Sequence, residues 1–124
     1  MKFIPSFMHA ILDYVFALAL LTSPWLLGFD ESSRATTIAV VFGLVVLLYS
    51  LLTNYEGGLI RVIPFRVHLF IDWVVGLCLL TVPWFLRFTD RFAEPFYGFG
   101  MYAIAVALLT IPEVVGLDRL LKAR

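Results

Sequence analysis

"HAILDYVFALALLTSPW" (His9–Trp25) returns as "HLFIDWVVGLCLLTVPW" (His68–Trp84), with His, Asp, Thr, Pro and Trp at the same offsets in both copies. Both stretches are too long and too evenly apolar for strands, which would alternate. Each is close to the length of about 20 apolar residues that carries a helix through a bilayer. The match continues outward from the quoted stretches. Pro5 pairs with Pro64, Phe42–Gly43 with Phe99–Gly100, "LLTNYE" (Leu51–Glu56) with "LLTIPE" (Leu108–Glu113), and Arg61 with Arg119.

Composition points the same way. Of 124 residues, 62% are hydrophobic and 15% charged, against roughly 45–50% apolar in soluble domains. A chain this short cannot bury that much apolar surface in water. The net charge of zero gives no footprint for nucleic acid. The single Cys78 can form no intrachain disulfide, and its apolar neighbours suggest a small core residue. No small-residue cleavage site follows the first apolar run, so that run is expected to belong to the mature protein.

Four spans are expected, at roughly 5–27, 35–54, 63–86 and 96–111. Each must be helical, because lipid offers no partner to backbone N–H and C=O groups. The separators "GFDESSRAT", "NYEGGLIRVIP" and "RFTDRFAEP" read as loops, the last ending at Pro95, a favoured first-turn residue. The expected fold is an all-α membrane protein: a single membrane domain over 1–124, with repeat one at 1–60 and repeat two at 61–124. Two copies of a two-helix hairpin share one orientation, so their pseudo-twofold axis would run along the membrane normal. Lys2, Arg61, Arg66, Arg119, Lys122 and Arg124 fall on the side of the termini, and Arg34, Arg87 and Arg91 on the other. The positive-inside rule then puts both termini in the cytoplasm. "VVGLDRLLKAR" (Val114–Arg124) reads as an amphipathic tail lying at the surface.

The "SPW" at Ser23–Trp25, its "VPW" echo at Val82–Trp84, and the preceding "HAILDY" and "HLFIDW" resemble the SPW-repeat integral membrane proteins of bacteria. The resemblance covers nearly the whole chain, though Val82 stands where the signature has serine. It implies paired membrane helices and implies no activity, substrate or cofactor. The expected location is the bacterial inner membrane.

Pro24 and Pro83 are expected to bend or end their helices, with Thr22, Ser23 and Thr81 helping the freed carbonyls. Trp25 and Trp84 would anchor at the outer interface, or turn inward onto each other. Gly43, Gly76, Gly98 and Gly100 would let helices approach closely.

The chemistry lies at the other end. His9 and Asp13 are four apart and share a helix face, as do His68 and Asp72. Antiparallel return of the second and fourth spans brings Tyr49, Thr53, Glu56, Thr110 and Glu113 to the same end. Three readings follow. The carboxylates can be held by His, by Thr or Tyr hydroxyls, or by Arg61 or Arg66, as polar locks between helices. His9, Asp13, His68 and Asp72 can hold a metal ion, or the two imidazoles a haem. The same groups can handle protons or a small solute, although no polar path runs the length of the spans. The leading expectation is a small structural or interaction module with lipid as its surroundings, without a resident cofactor, and partnered by its own copies or another membrane protein. No nucleophile elbow, phosphate loop or Cys-x-x-Cys motif points to an enzyme.

Overall fold

The computed structural model describes residues 1–89 and 91–114. The tail, with Arg119, Lys122 and Arg124, lies outside the described residues. Among the described residues the chain forms four helices, α1 (Ser6–Leu26), α2 (Ser33–Leu51), α3 (Phe65–Phe85) and α4 (Ala93–Leu109). The first three are long and apolar enough to cross a membrane, and α4 is a shorter apolar helix of 17 residues. At 1.5 Å per residue α4 sits at the lower limit for spanning.

The outer faces of the helices are as apolar as their inner faces. Ile11, Val15, Leu18, Leu44, Leu48, Phe70, Leu77 and Met101 are all exposed. Water would penalise such a surface, whereas acyl chains do not. The interior holds Phe16, Ala17, Leu20, Ala39, Val46, Val75, Leu79 and Phe96. Helix α1 packs closely along α2, and α3 along α4, while the α1–α4 and α2–α3 contacts are sparse. Glycine permits the two close approaches. A Cβ on Gly43 would lie 2.8 Å from Leu21, and one on Gly100 2.7 Å from both Leu80 and the Gly76 carbonyl. Gly98 differs from expectation, since nothing lies within 4 Å of its missing Cβ. Cys78 is exposed on the outer face rather than in the core.

The proline-tryptophan ends are more specific than a kink. Both prolines are buried inside their helices, which run on to Leu26 and Phe85. Pro24 lacks an N–H, so the Leu20 carbonyl loses its helical donor, and the Ser23 hydroxyl donates to it instead at 2.9 Å. Thr22 and Thr81 serve other carbonyls, those of Leu18 and Leu77. Each helix then closes in a Schellman turn. Phe29 N–H donates to Pro24 O (2.8 Å), and Phe88 N–H to Pro83 O (2.9 Å). Between donor and acceptor sits a left-handed residue, Gly28 (φ 75°) in one turn and Arg87 (φ 58°) in the other. Phe29 and Phe88 bury their rings against Phe96. Trp25 and Trp84 point outward, about three-fifths exposed; Trp84 leans on Tyr97. They do not pack on each other.

At the opposite end, short extended segments tie the helices together. Ile4 bridges to Thr110, and Thr53 to Ile63. The links place the start of α1 beside the end of α4, and the end of α2 beside the start of α3.

Candidate functional site

The first turns of α1 and α3 carry His9 and His68 into the bundle, and the next turns carry Asp13 and Asp72. Both imidazoles are fully buried and both carboxylates are 5% exposed. His9 Nε2 lies 2.8 Å from Asp72 Oδ2 and 3.1 Å from Asp13 Oδ1. His68 Nε2 lies 2.8 Å from Asp13 Oδ2 and 3.2 Å from Asp72 Oδ2. In each case the shorter contact joins one hairpin to the other. His68 Nε2 is close to both carboxylates without being aligned for a hydrogen bond to either. The two rings meet edge to face with centroids 5.3 Å apart. A porphyrin between them would require the rings to separate.

The other imidazole nitrogens fix the protons. His9 Nδ1 is 2.7 Å from Thr110 Oγ1, whose own hydrogen goes to Val106 O at 2.6 Å. A hydroxyl has one hydrogen to give, so Thr110 accepts and His9 Nδ1 carries a proton. The same reasoning applies to His68 Nδ1, Thr53 Oγ1 and Tyr49 O, each step being 2.6 Å. Both Nε2 atoms therefore face the carboxylates, and that of His9 is hydrogen-bonded to Asp72 Oδ2.

Two tyrosines complete the carboxylate shell. Tyr49 donates to Asp72 Oδ1 (2.5 Å) and Tyr55 to Asp13 Oδ2 (2.9 Å). Burial, followed by the Asp13 carboxylate, pushes the Tyr55 phenol above its ordinary value, so this hydroxyl stays a donor. Phe65 caps the cluster, touching His9 edge-on and stacking obliquely near Tyr55.

Of the residues expected here, His9, Asp13, His68, Asp72, Thr53 and Thr110 come together. The two glutamates do not. Glu113 is exposed and paired with Arg66 at 3.1 Å, because α4 ends at Leu109 and the chain has left the helix by position 113. Glu56 sits in the loop after α2, half-buried, accepting from Ser6 at 2.8 Å. Neither arginine reaches the aspartates: Arg61 turns to Gly58 O and Arg66 to Glu113. Sequence spacing does not place Tyr55, since a residue in the loop after α2 has no helical register. Toward the other end of the bundle the interior is apolar, beginning with Phe16 and Ala17 on α1 and Val75 and Leu79 on α3.

Comparison with protein families matches the SPW repeat domain over residues 7–116. The chain belongs to the SPW repeat family. Comparison with curated proteins and with solved structures gives no match. The SPW match spans both proline-tryptophan turns and all four members of the His/Asp quartet.

Proposed function

We propose that this protein is a small four-span module of the bacterial inner membrane whose two hairpins are clamped by the His/Asp quartet. The observation that carries the reading is the crossed pairing: His9 of one hairpin to Asp72 of the other, and His68 to Asp13. The helices of the two hairpins otherwise approach each other sparsely, joined by aromatic contacts such as Phe16–Tyr102 and Phe29–Phe96 and by the Ile4–Thr110 bridge. In lipid, apolar surfaces gain little by finding each other, and interhelical polar contacts, about 0.6–2 kcal/mol each, are a main source of specificity.

The module is read as a tandem duplication with a pseudo-twofold axis along the membrane normal, repeat one at 1–60 and repeat two at 61–124. The matched bridges Ile4–Thr110 and Thr53–Ile63 and the matched pairs His9–Thr110 and His68–Thr53 support it. Apolar exposed faces make lipid the surroundings and leave room for a second copy or another membrane protein as partner. The termini are placed in the cytoplasm on the basic residues of that side.

The test is a pair of substitutions at one position. Asp13→Asn keeps oxygen and shape and is expected to cost about 1–2 kcal/mol. Asp13→Leu strands the buried Tyr55 donor and removes the carboxylate facing His68, and should cost about 3–5 kcal/mol, the range for breaking a buried pair. Thermal unfolding in detergent measures both, and equal stability of the two variants would sink the clamp.

A further inference from the structure

We propose that the quartet is a binding site for one divalent transition-metal ion of the zinc class, held by His9 Nε2, His68 Nε2 and one oxygen each of Asp13 and Asp72. The inference rests on the quartet reading and adds a ligand to it.

Four donor atoms, one from each residue, lie within 4.8 Å of one another. Two imidazoles and two carboxylates form a set that suits zinc, cobalt or iron. An ion with metal–ligand bonds of about 2.0–2.2 Å spaces tetrahedral donors by about 3.3–3.6 Å. The nearest N–O separations here are 2.8 to 3.2 Å and all four donors lie within 4.8 Å, so the short pairs open by a few tenths of an ångström and the widest closes by about an ångström to admit it.

A second, independent observation points to a ligand. His68 Nε2 is fully buried, aimed into the centre of the quartet, and without an aligned hydrogen-bond partner. Buried polar nitrogens are seldom left so. The surroundings also select the ligating form of both rings. Thr110 and Thr53 take the Nδ1 protons because their own hydrogens are committed to Val106 O and Tyr49 O. That leaves both Nε2 lone pairs for an ion, the arrangement by which outer partners orient metal-bound histidines. Tyr49 holds Asp72 Oδ1 and thereby presents Oδ2 to the imidazoles. A clamp alone does not require both rings to turn the same nitrogen inward.

Charge balances as well: one dication offsets the two buried carboxylates, so the loaded site is neutral.

The experiment uses the full chain in detergent, stripped with a chelator and titrated with cobalt(II). Stoichiometric uptake, with the intense visible absorption of tetrahedral cobalt and displacement by zinc, is expected. Thr110→Val keeps all four donors but removes the acceptor that orients His9, and it should weaken binding 10- to 100-fold. Asp72→Asn should weaken it at least tenfold, and Thr22→Val, remote from the site, should leave it unchanged. A folded wild-type chain that takes up no cobalt overturns the metal site, as does uptake that Thr110→Val and Asp72→Asn leave untouched. Either result leaves the clamp standing, because its stability difference is read on metal-free protein.

Discussion

Serine against valine distinguishes the two copies of the tripeptide that marks this chain. Proline withdraws a donor from the carbonyl four residues earlier. In water that carbonyl would be solvated, but in lipid it needs a partner within the protein. Ser23 supplies one to Leu20, whereas Val82 has no hydroxyl to offer Leu79. Ser23→Ala should therefore cost about 1–2 kcal/mol, the price of an unsatisfied buried acceptor, visible as a lower thermal midpoint. Restoring the hydroxyl with Ser23→Thr should recover most of it. The histidines illustrate the same principle with higher stakes. Every polar atom in the quartet region is a liability in low dielectric, and the structure answers with threonines that donate backward to their own helices and accept from imidazole. His-x-x-x-Asp was legible in the sequence as a shared helix face. Which nitrogen faced inward was not, because that depends on Thr110, a residue 101 positions from His9.

Helices here are defined by their ends and by the surfaces where backbones meet. Helix α3 approaches α4 where Gly76 and Gly100 face each other, and a Cβ on Gly100 would stand 2.7 Å from the Gly76 carbonyl. Gly100→Ala should force the pair apart and cost about 1–3 kcal/mol, the usual penalty for overpacking. Gly98→Ala, with open space around it, should instead gain about 0.5–1 kcal/mol from helix propensity. Both are read from thermal unfolding of the single variants. From sequence alone the two glycines look equivalent; only the helix register distinguishes them. The Schellman turns carry a second contrast. Gly28 occupies a left-handed conformation without cost, whereas Arg87 occupies the same region with a Cβ. A left-handed non-glycine residue costs about 1–2 kcal/mol, so Arg87→Gly should raise the thermal midpoint. The proline in "SPW" announced a helix end; the buried Phe29 and Phe88 that complete each turn came into view only with the structure.

At the scale of the molecule, two tightly packed hairpins meet through a small polar centre near one end and an apolar interior beyond it. Solute passage through a single bundle is opposed by that interior, where Leu20, Val46 and Leu79 are fully buried. Surface ion pairs add little: Arg66–Glu113 and Arg91–Glu31 are exposed at 3.1 Å each, and solvent screens them. Orientation is a whole-molecule property too. With the termini in the cytoplasm, a cysteine placed at position 60 should resist a membrane-impermeant thiol reagent added outside intact cells, while one at position 31 should react. The opposite pattern would invert the proposed topology.

Apolar length and the spacing of His, Asp, Pro and Trp determined by themselves that the chain forms long lipid-compatible helices, and that acid and imidazole share a face on two of them. Those are one-dimensional properties, fixed by a rise of 1.5 Å and a period of 3.6. Tertiary structure decided which partner each group met. It crossed His9 to Asp72 and His68 to Asp13, drew in Tyr55 from a loop, and left Glu113 at the surface with Arg66. Such choices depend on how separately folded helices dock, and the energies that select them, hydrogen bonds in low dielectric and backbone contacts at glycine, exist only once the helices are side by side.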